Sequence, residues 1–293
     1  MKRIFLMTIC CLSILLCSCS LQEKEVPLRS CGISDFPETY VDKIGNIKFE
    51  TNIIVGDDYQ KKLLTGKAIS ENLSLKKSMP GLYAQDDYID YSSDDVWSEK
   101  FDIYIKQKIT RNMIQVFEKE NPGELGNIEK CLDTIGASGI EIQKAAKIEE
   151  EQNCYLLTGR QTSHGIPIID PFYLRSTEDA GAPVRILYVD GEVKKAQILY
   201  NYKIKSENTE VSLVDFEEIA ASLKKHFDSI LTDNRYMINE AELCFMIDVN
   251  MKKSMYDMVP VWLFTIREIT NMNEQREFYE VIRADTAKRV VIE

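Results

Sequence analysis

Residues 212–230 read Ser-Leu-Val-Asp-Phe-Glu-Glu-Ile-Ala-Ala-Ser-Leu-Lys-Lys-His-Phe-Asp-Ser-Ile and combine a helix start signal with an apolar repeat. Ser212 and Asp215 have the spacing of a capping box, whose side chains satisfy free N–H groups at a helix start. The apolar residues that follow recur along one helical face: Phe216, Ile219, Ala220, Leu223, Phe227 and Ile230. The stretch therefore predicts an amphipathic helix.

Strand patterns follow this helix. Strands are predicted over residues 241–250, 258–266 and 278–283, and a turn is predicted at 284–286. Pro260 lies near the start of its strand, where the missing N–H removes no central ladder bond. Trp262 and Phe264 alternate on this strand, which favours a core position for both over ligand binding.

An earlier segment has the same order of helix and strands. Asn121-Pro-Gly123 is a break, and the apolar spacing over residues 125–135 then predicts a helix that stops at Gly136. Asp190-Gly191 between two apolar runs is a strong signal for a β-hairpin. The strands predicted in this segment cover residues 153–160, 184–189 and 193–202.

The N-terminal part of the chain is predicted to be rich in strands. Residues 44–55 alternate apolar and polar side chains, and residues 63–69 predict a second strand. Residues 86–95 are acidic but lack the carboxylate spacing and the Gly turn of a calcium loop, so a solvated loop is predicted. Residues 101–117 predict a strand that leads into a helix.

The first residues predict an export signal. Lys2 and Arg3 precede an apolar run of about 13 residues, which is shorter than the roughly 20 residues of a membrane-spanning helix. The run ends in Leu16-Cys17-Ser18-Cys19, which resembles the lipobox of bacterial lipoproteins. An ordinary signal peptide and an uncleaved anchor are the alternatives.

The lipobox resemblance implies that Cys19 is the lipid-attachment residue and the mature N-terminus. Two acyl chains, palmitate-type fatty acids among them, would give stable anchoring where one chain gives only marginal binding. The expected location is the extracytoplasmic face of the cell membrane, with the membrane as a partner through Cys19. Residues 20–38 are largely polar and predict a tether.

Charge and cysteine usage narrow the function further. Without residues 1–18 the chain carries 34 Lys and Arg against 47 Asp and Glu, a net charge of −13. Such a chain is repelled by nucleic acid and by anionic lipid, so no nucleic-acid partner is predicted. The four cysteines beyond the anchor have two alternative predicted states, buried thiols or at least one disulfide. They are Cys31, Cys131, Cys154 and Cys244.

The sequence predicts no catalytic residue, no cofactor and no metal site. The cysteines form no CxxC pair of the kind that binds zinc. The histidines are His164 and His226, and Ser163 beside His164 is no catalytic pair, since neighbours on a strand point to opposite faces. The motifs of the common hydrolases and nucleotide-binding enzymes do not occur. The chain is therefore predicted not to be an enzyme.

Two segments resemble a known group of domains. His164-Gly-Ile-Pro-Ile168, followed by Asp190-Gly191, looks like the "GIPV … DG" pattern of propeptide-type domains related to PepSY modules. Pro260-Val-Trp-Leu-Phe264, followed by 279–285, looks like the PepSY ending, although the usual Gly of that ending is missing. The layout of residues 121–293 also resembles the extracytoplasmic YycH and YycI regulators of Gram-positive sensor kinases, and clostridial lipoproteins. The resemblance implies a non-catalytic α+β module that binds or inhibits a protein partner.

The expected fold class is α+β, with antiparallel sheets each packed by a helix and two tandem PepSY-like units after a β-rich region. The expected function is that of a non-enzymatic, membrane-anchored lipoprotein that acts by protein–protein contact in the cell envelope. The alternatives are a solute-binding receptor of a transporter and an envelope hydrolase. The expected division is a signal peptide (1–18), a lipidated tether (19–38), a β-rich region (39–120), a first α+β unit (121–205) and a second α+β unit (206–293).

Overall fold

The fold is taken from a computed structural model of the 293-residue chain. It describes residues 29–56, 63–70, 82–85, 88–92, 95–105, 112–134, 137, 139–148, 151–172, 174, 183–228, 230, 233–248 and 255–291. The predicted signal peptide and Cys19 lie outside these residues. Within them, no helix is both long and apolar enough to cross a membrane.

The described chain is a mixed α+β structure dominated by strands, which confirms the predicted α+β class. The helices are α1 (Asp95–Tyr104), α2 (Ile114–Glu120), α3 (Glu124–Thr134) and α4 (Phe216–Asp228), with a 3-10 turn at Ile33–Asp35. The first strands are β1 (Ser30–Cys31), β2 (Thr39–Ile44), β3 (Ile47–Ile54), β4 (Leu63–Ser70), β5 (Leu82–Gln85), β6 (Tyr88–Ser92), β7 (Ile140–Lys147), β8 (Cys154–Ser163) and β9 (Ile166–Ile169). The others are β10 (Val184–Val189), β11 (Glu192–Ile198), β12 (Tyr202–Val211), β13 (Leu213–Val214), β14 (Arg235–Asp248), β15 (Tyr256–Ile269), β16 (Gln275–Arg283) and β17 (Arg289–Val290).

The C-terminal half of the fold is organised around the long antiparallel pair β14–β15. On its outer side β15 pairs with β16 and β4, and on its inner side β14 pairs in parallel with β3 and β9. Helix α4 covers one face of this sheet. Phe216 of the helix packs edge-on against Trp262, with ring centroids 5.1 Å apart, and Trp262 is fully buried as predicted.

The opening helix pattern is confirmed, with two corrections at its ends. Helix α4 starts at Phe216, and Asp215 caps it by accepting the N–H of Glu217 at 2.9 Å. Ser212 lies directly before strand β13 and does not cap the helix. Ile230 lies beyond the helix end and is 38% exposed, because the helical repeat no longer applies there.

The N-terminal half of the fold is a second antiparallel sheet, in the order β7-β8-β10-β11-β6-β5. Helices α2 and α3 pack on one face, where Phe117 lies against the rings of Tyr155 and Tyr188 with centroids 5.1 Å away in each case. Helix α1 packs on the other face. The predicted hairpin is confirmed, since Asp190 and Gly191 form the β10–β11 turn with φ of 50° and 86°.

Short strand β9 connects the two halves. It pairs with β8 through residues 166 and 167 and with β14 through residues 168 and 169. Fifteen of the described strands thereby belong to one hydrogen-bonded sheet. The strands of residues 39–92 are divided between the halves, since β2, β3 and β4 join the C-terminal sheet and β5 and β6 join the N-terminal sheet.

Three local predictions are wrong. The strand predicted from Phe101 is helix α1, in which Phe101 and Tyr104 are buried and Ile103 is 60% exposed, a helical spacing of buried side chains. Residues 88–92 of the predicted acidic loop form β6. The strand predicted over 193–202 ends at Ile198, and β12 begins at Tyr202.

The segment predicted as a tether is docked from Arg29 onward. Residues 30–31 pair with 213–214, just before helix α4. Phe36 packs edge-on against Trp262 with ring centroids 5.0 Å apart, and Cys31 contacts the same core. This part of the chain therefore belongs to the folded domain.

Candidate functional site

A cleft lies where the two halves meet, between β7 and β8 on one side and β14, β15 and β16 on the other. It has a volume of about 290 Å³ and is lined mainly by polar and charged side chains. The lining residues that matter below are Gln143, Arg160, Glu240, Glu242, Thr265 and Tyr279. The cleft lies on the face of the C-terminal sheet opposite helix α4.

An ion pair forms the floor of the cleft. Arg160 of β8 donates from both terminal nitrogens to the two carboxylate oxygens of Glu242 on β14, at 2.6 Å each, and its Nε donates to Oε1 of Gln143 at 2.9 Å. The side chains of Arg160 and Glu242 are 13% and 9% exposed. Burial lowers the pKa of Arg160, but the attraction of Glu242 outweighs burial and the net pKa is raised. Arg160 therefore stays charged.

Two β-bulges direct side chains toward this cleft. The register of β7 against β8 shifts between Ile142 and Lys144, which leaves Gln143 as the extra residue. The register of β14 against β15 shifts between Ile238 and Glu240, which leaves Asn239 as the extra residue. Bulges bend a strand, re-aim its side chains and are common beside functional sites.

Glu240 begins a row of polar side chains on one wall of the cleft. It lies opposite Thr265 on β15, and Thr265 lies opposite Tyr279 on β16. Residues directly opposite in a sheet point to the same face. Burial raises the pKa of Glu240, and the neighbouring charge of Glu242 raises it further. Burial also raises the pKa of Tyr279. The wall thus offers one carboxylate and two hydroxyl groups.

The mouth of the cleft carries both signs of charge. Lys144 comes from β7, and Arg267 and Glu277 are opposite each other on β15 and β16. Among the described residues, none of these three side chains has a salt-bridge partner, and the same is true of Glu240. These charges are therefore free to meet groups outside the domain.

The residues that sequence reasoning considered and set aside as catalytic lie elsewhere. Ser163 Oγ donates to one oxygen of Glu207, and His164 Nε2 lies 2.6 Å from the other oxygen. The carboxylate thus stands between the hydroxyl and the imidazole, which differs from the nucleophile–base–orienter order of a catalytic triad. His226 Nε2 lies 3.5 Å from Glu280, far along the chain from both.

The four described cysteines form no disulfide with one another, and Cys154 and Cys244 are buried. Burial raises the pKa of Cys244 well above its usual value, so it is an unreactive thiol. In the described ranges, no group of three or more His, Cys, Asp or Glu side chains is placed to hold a metal ion. Cys19 is not described, and its lipidation remains a prediction.

Sequence reasoning missed the cleft because its floor joins residues 82 positions apart. A weak signal existed in the apolar run Ala241-Glu-Leu-Cys-Phe-Met-Ile247, where Glu242 is the one charged residue. A charged side chain within a buried strand normally has a partner. Nothing local identifies that partner as Arg160.

Comparison with protein-family models and with curated proteins finds no match. Among solved structures, the chain is similar to an uncharacterized protein from Eubacterium rectale ATCC 33656, with a TM-score of 0.62 and 14% sequence identity. The match covers 89% of this chain and 96% of the other chain. At this identity the likeness shows a shared fold over nearly the whole of both chains.

Proposed function

We propose that this protein is a lipid-anchored, non-enzymatic lipoprotein on the extracytoplasmic face of the cell membrane, and that it acts by contact with a protein partner in the envelope. Cys19 would carry the lipid. The observation that carries the contact function is the cleft between the two halves. Its mouth presents Lys144, Arg267 and Glu277, whose side chains form no salt bridge with any described residue.

The anchor proposal rests on sequence. Leu16-Cys17-Ser18-Cys19 has the lipobox pattern, and the acidic chain offers no electrostatic attraction to anionic lipid. Only about ten residues separate Cys19 from Arg29, where the docked part of the chain begins. At roughly 3.5 Å per extended residue, the domain would stay within about 35 Å of its lipid. A partner would therefore be found in or near the membrane.

We also propose that the two halves are PepSY-like units in tandem. In each half, a helical segment packs on a largely antiparallel sheet, and strands of that sheet follow the helix in the chain. The closing turn of the PepSY ending needs a Gly, and this chain has Ala287 there. Ala287 adopts φ of 53°, the left-handed conformation that favours glycine, so the turn has the geometry that a Gly normally provides.

The partner proposal is tested by cross-linking in intact cells. A photoreactive amino acid at Lys144, in the mouth of the cleft, should form an adduct with an envelope protein, and the same probe at Glu118 should not. Glu118 is exposed on α2 and does not line the cleft. Equal adducts from both positions, or none from Lys144, would contradict partner contact at the cleft.

A second candidate is a solute receptor, and the same cleft favours it. Its volume of about 290 Å³ is at the lower end of the roughly 300–1,000 Å³ of small-molecule pockets. A receptor of this kind would deliver its solute to a permease, so deletion of the gene should reduce uptake of one solute. Cross-linking to a permease, rather than to a sensor kinase or another regulatory protein, would favour this candidate.

The cleft supports an envelope hydrolase less well. A glycosidase-type mechanism needs two carboxyl groups that can each face the substrate. Glu240 has a raised pKa, as a general acid requires, but both oxygens of Glu242 are held by Arg160. Glu242 is therefore committed to the ion pair and is not available as a nucleophile or a base.

A further inference from the structure

We propose that the cleft binds a positively charged organic group, a guanidinium or an ammonium, with Glu240 as its counterion. The inference rests on the cleft being the recognition site proposed above and names the chemistry that it recognises. It does not depend on lipidation of Cys19.

The charges and bonds around Glu240 favour a cationic ligand. Both terminal nitrogens of Arg160 donate to Glu242, and its Nε donates to Gln143, so the charge of Arg160 is already paired with a carboxylate. Glu240 makes no hydrogen bond and no salt bridge with any described residue. Lys144 of β7 is a neighbouring cation but makes no salt bridge with Glu240, so the carboxylate oxygens of Glu240 are open to a cation from a ligand. A partly buried carboxylate is unfavourable unless it takes up a proton or meets a cation.

Two hydroxyl groups lie beside the carboxylate of Glu240. Thr265 and Tyr279 continue the row from Glu240 across the sheet, and their hydroxyl oxygens can accept N–H groups of a cation that binds Glu240. The ring of Tyr279 packs on the apolar cluster of the sheet, which fixes its position. An aromatic face within about 6 Å of a cation adds further attraction.

The charges at the mouth limit what the rest of the ligand can carry. Lys144 and Arg267 at the mouth would repel a second positive charge, so the cleft selects against polycations. A ligand with one cationic end and a neutral or anionic remainder fits both the floor and the mouth. An arginine side chain in a polypeptide has this character, and free arginine has it too, because its α-ammonium is balanced by the adjacent α-carboxylate. These are two sources of one chemistry.

The test is isothermal titration calorimetry at neutral pH with the full-length protein in detergent. The probes are free L-arginine and a blocked Gly-Arg-Gly peptide, each paired with its citrulline counterpart, which has the same shape without the charge. We expect at least tenfold tighter binding of an arginine probe than of its citrulline counterpart. Binding of the free amino acid alone indicates a solute, and binding of the peptide alone indicates a polypeptide partner.

Variants locate the binding. Glu240→Gln should weaken arginine binding at least tenfold, and Tyr279→Phe should weaken it severalfold. The side chain of Glu240 makes no hydrogen bond or salt bridge with any described residue. The Glu240→Gln variant should therefore keep the circular dichroism spectrum and melting temperature of the wild type. Glu118→Gln removes the same charge from an exposed site outside the cleft and should bind as the wild type does.

Equal affinity for arginine and citrulline probes would overturn the proposal, as would unchanged arginine binding by Glu240→Gln. The outcome is separable from the cross-linking result. Arginine binding without an envelope adduct would leave the cation site standing and remove the protein-contact function. If the adduct from Lys144 persists in Glu240→Gln and arginine does not bind, the protein-contact function stands and the cation site does not.

Discussion

Arg160 and Glu242 form a bidentate ion pair between β8 and β14, with both N–O distances 2.6 Å. Each residue lies on a central strand of a different half of the fold. The pair thus joins the halves at the floor of the cleft, alongside the few backbone hydrogen bonds of β9. It is a structural link, and it commits Arg160 to Glu242, so that Arg160 makes no salt bridge with Glu240.

Breaking this pair should be costly. Arg160→Met leaves Glu242 buried without its partner, and loss of one member of a buried pair typically costs about 3–5 kcal/mol of unfolding free energy. The double variant Arg160→Met/Glu242→Leu should recover much of that loss, because no buried charge remains. Urea unfolding of both variants measures the difference.

A surface pair provides the control for that experiment. Lys48 and Glu50 lie 2.6 Å apart, with side chains 46% and 51% exposed. Lys48→Met should change the unfolding free energy by less than about 0.5 kcal/mol. A similar loss for Lys48→Met and Arg160→Met would mean that burial does not govern the strength of the pair.

Substitution by alanine should have opposite effects on stability at two of the glycines. A methyl group at Gly159 on β8 would lie 2.3 Å from the carbonyl oxygen of Glu141, so Gly159→Ala should force β7 and β8 apart and destabilise the protein. A methyl group at Gly126 in helix α3 meets nothing within 4 Å. Gly126→Ala should therefore stabilise the protein by about 0.5–1 kcal/mol through helix propensity. Thermal unfolding of both variants tests the pair, and a destabilised Gly126→Ala would contradict this account.

Glu268 should contribute to the loss of stability in acid. Burial raises its pKa, but hydrogen bonds from Asn234, Arg276 and Tyr236 outweigh burial and the net pKa is lowered. The stabilisation is therefore fully present above the pKa of an unfolded glutamate, about 4.3, and is lost as pH falls through the lower folded value.

Glu268→Gln should cost about 1–3 kcal/mol at pH 7, because buried donors lose an ionised acceptor. The same variant should lose less stability than the wild type as pH falls from 5 to 3. Urea unfolding across this range measures both effects, with Glu118→Gln as the exposed control. A wild-type pH dependence retained in Glu268→Gln would assign the acid sensitivity to other carboxylates.

Cys19→Ala should move the protein from the membrane fraction to the medium or the soluble fraction. Its folded domain should be unchanged, because the packed chain begins at Arg29. Mass spectrometry of the mature N-terminus provides the direct measurement. An unmodified Cys19, or a mature chain that starts elsewhere, would refute the lipoprotein proposal.

The elements that sequence reasoning predicted well are those with a local cause. Strand β3 alternates buried and exposed side chains from Ile47 as its sequence pattern requires, and Asp190-Gly191 turns where predicted. Helix α1 was missed because Phe101, Ile103 and Ile105 alternate like a strand. Its buried side chains are instead Phe101 and Tyr104, three positions apart, and only packing against the sheet reveals that choice.

The sequence by itself determined the export signal pattern, the acidic charge, helix α4 and the helix-then-strands order, because each depends on residues near one another in the chain. Tertiary structure decided the parallel pairing of β3 with β14, the docking of the segment from Arg29, and the cleft. Arg160 and Glu242 have no relation until two sheets bring them together. Long-range pairing is set by which buried charges can be satisfied and which apolar faces can be covered, and neither is written in local periodicity.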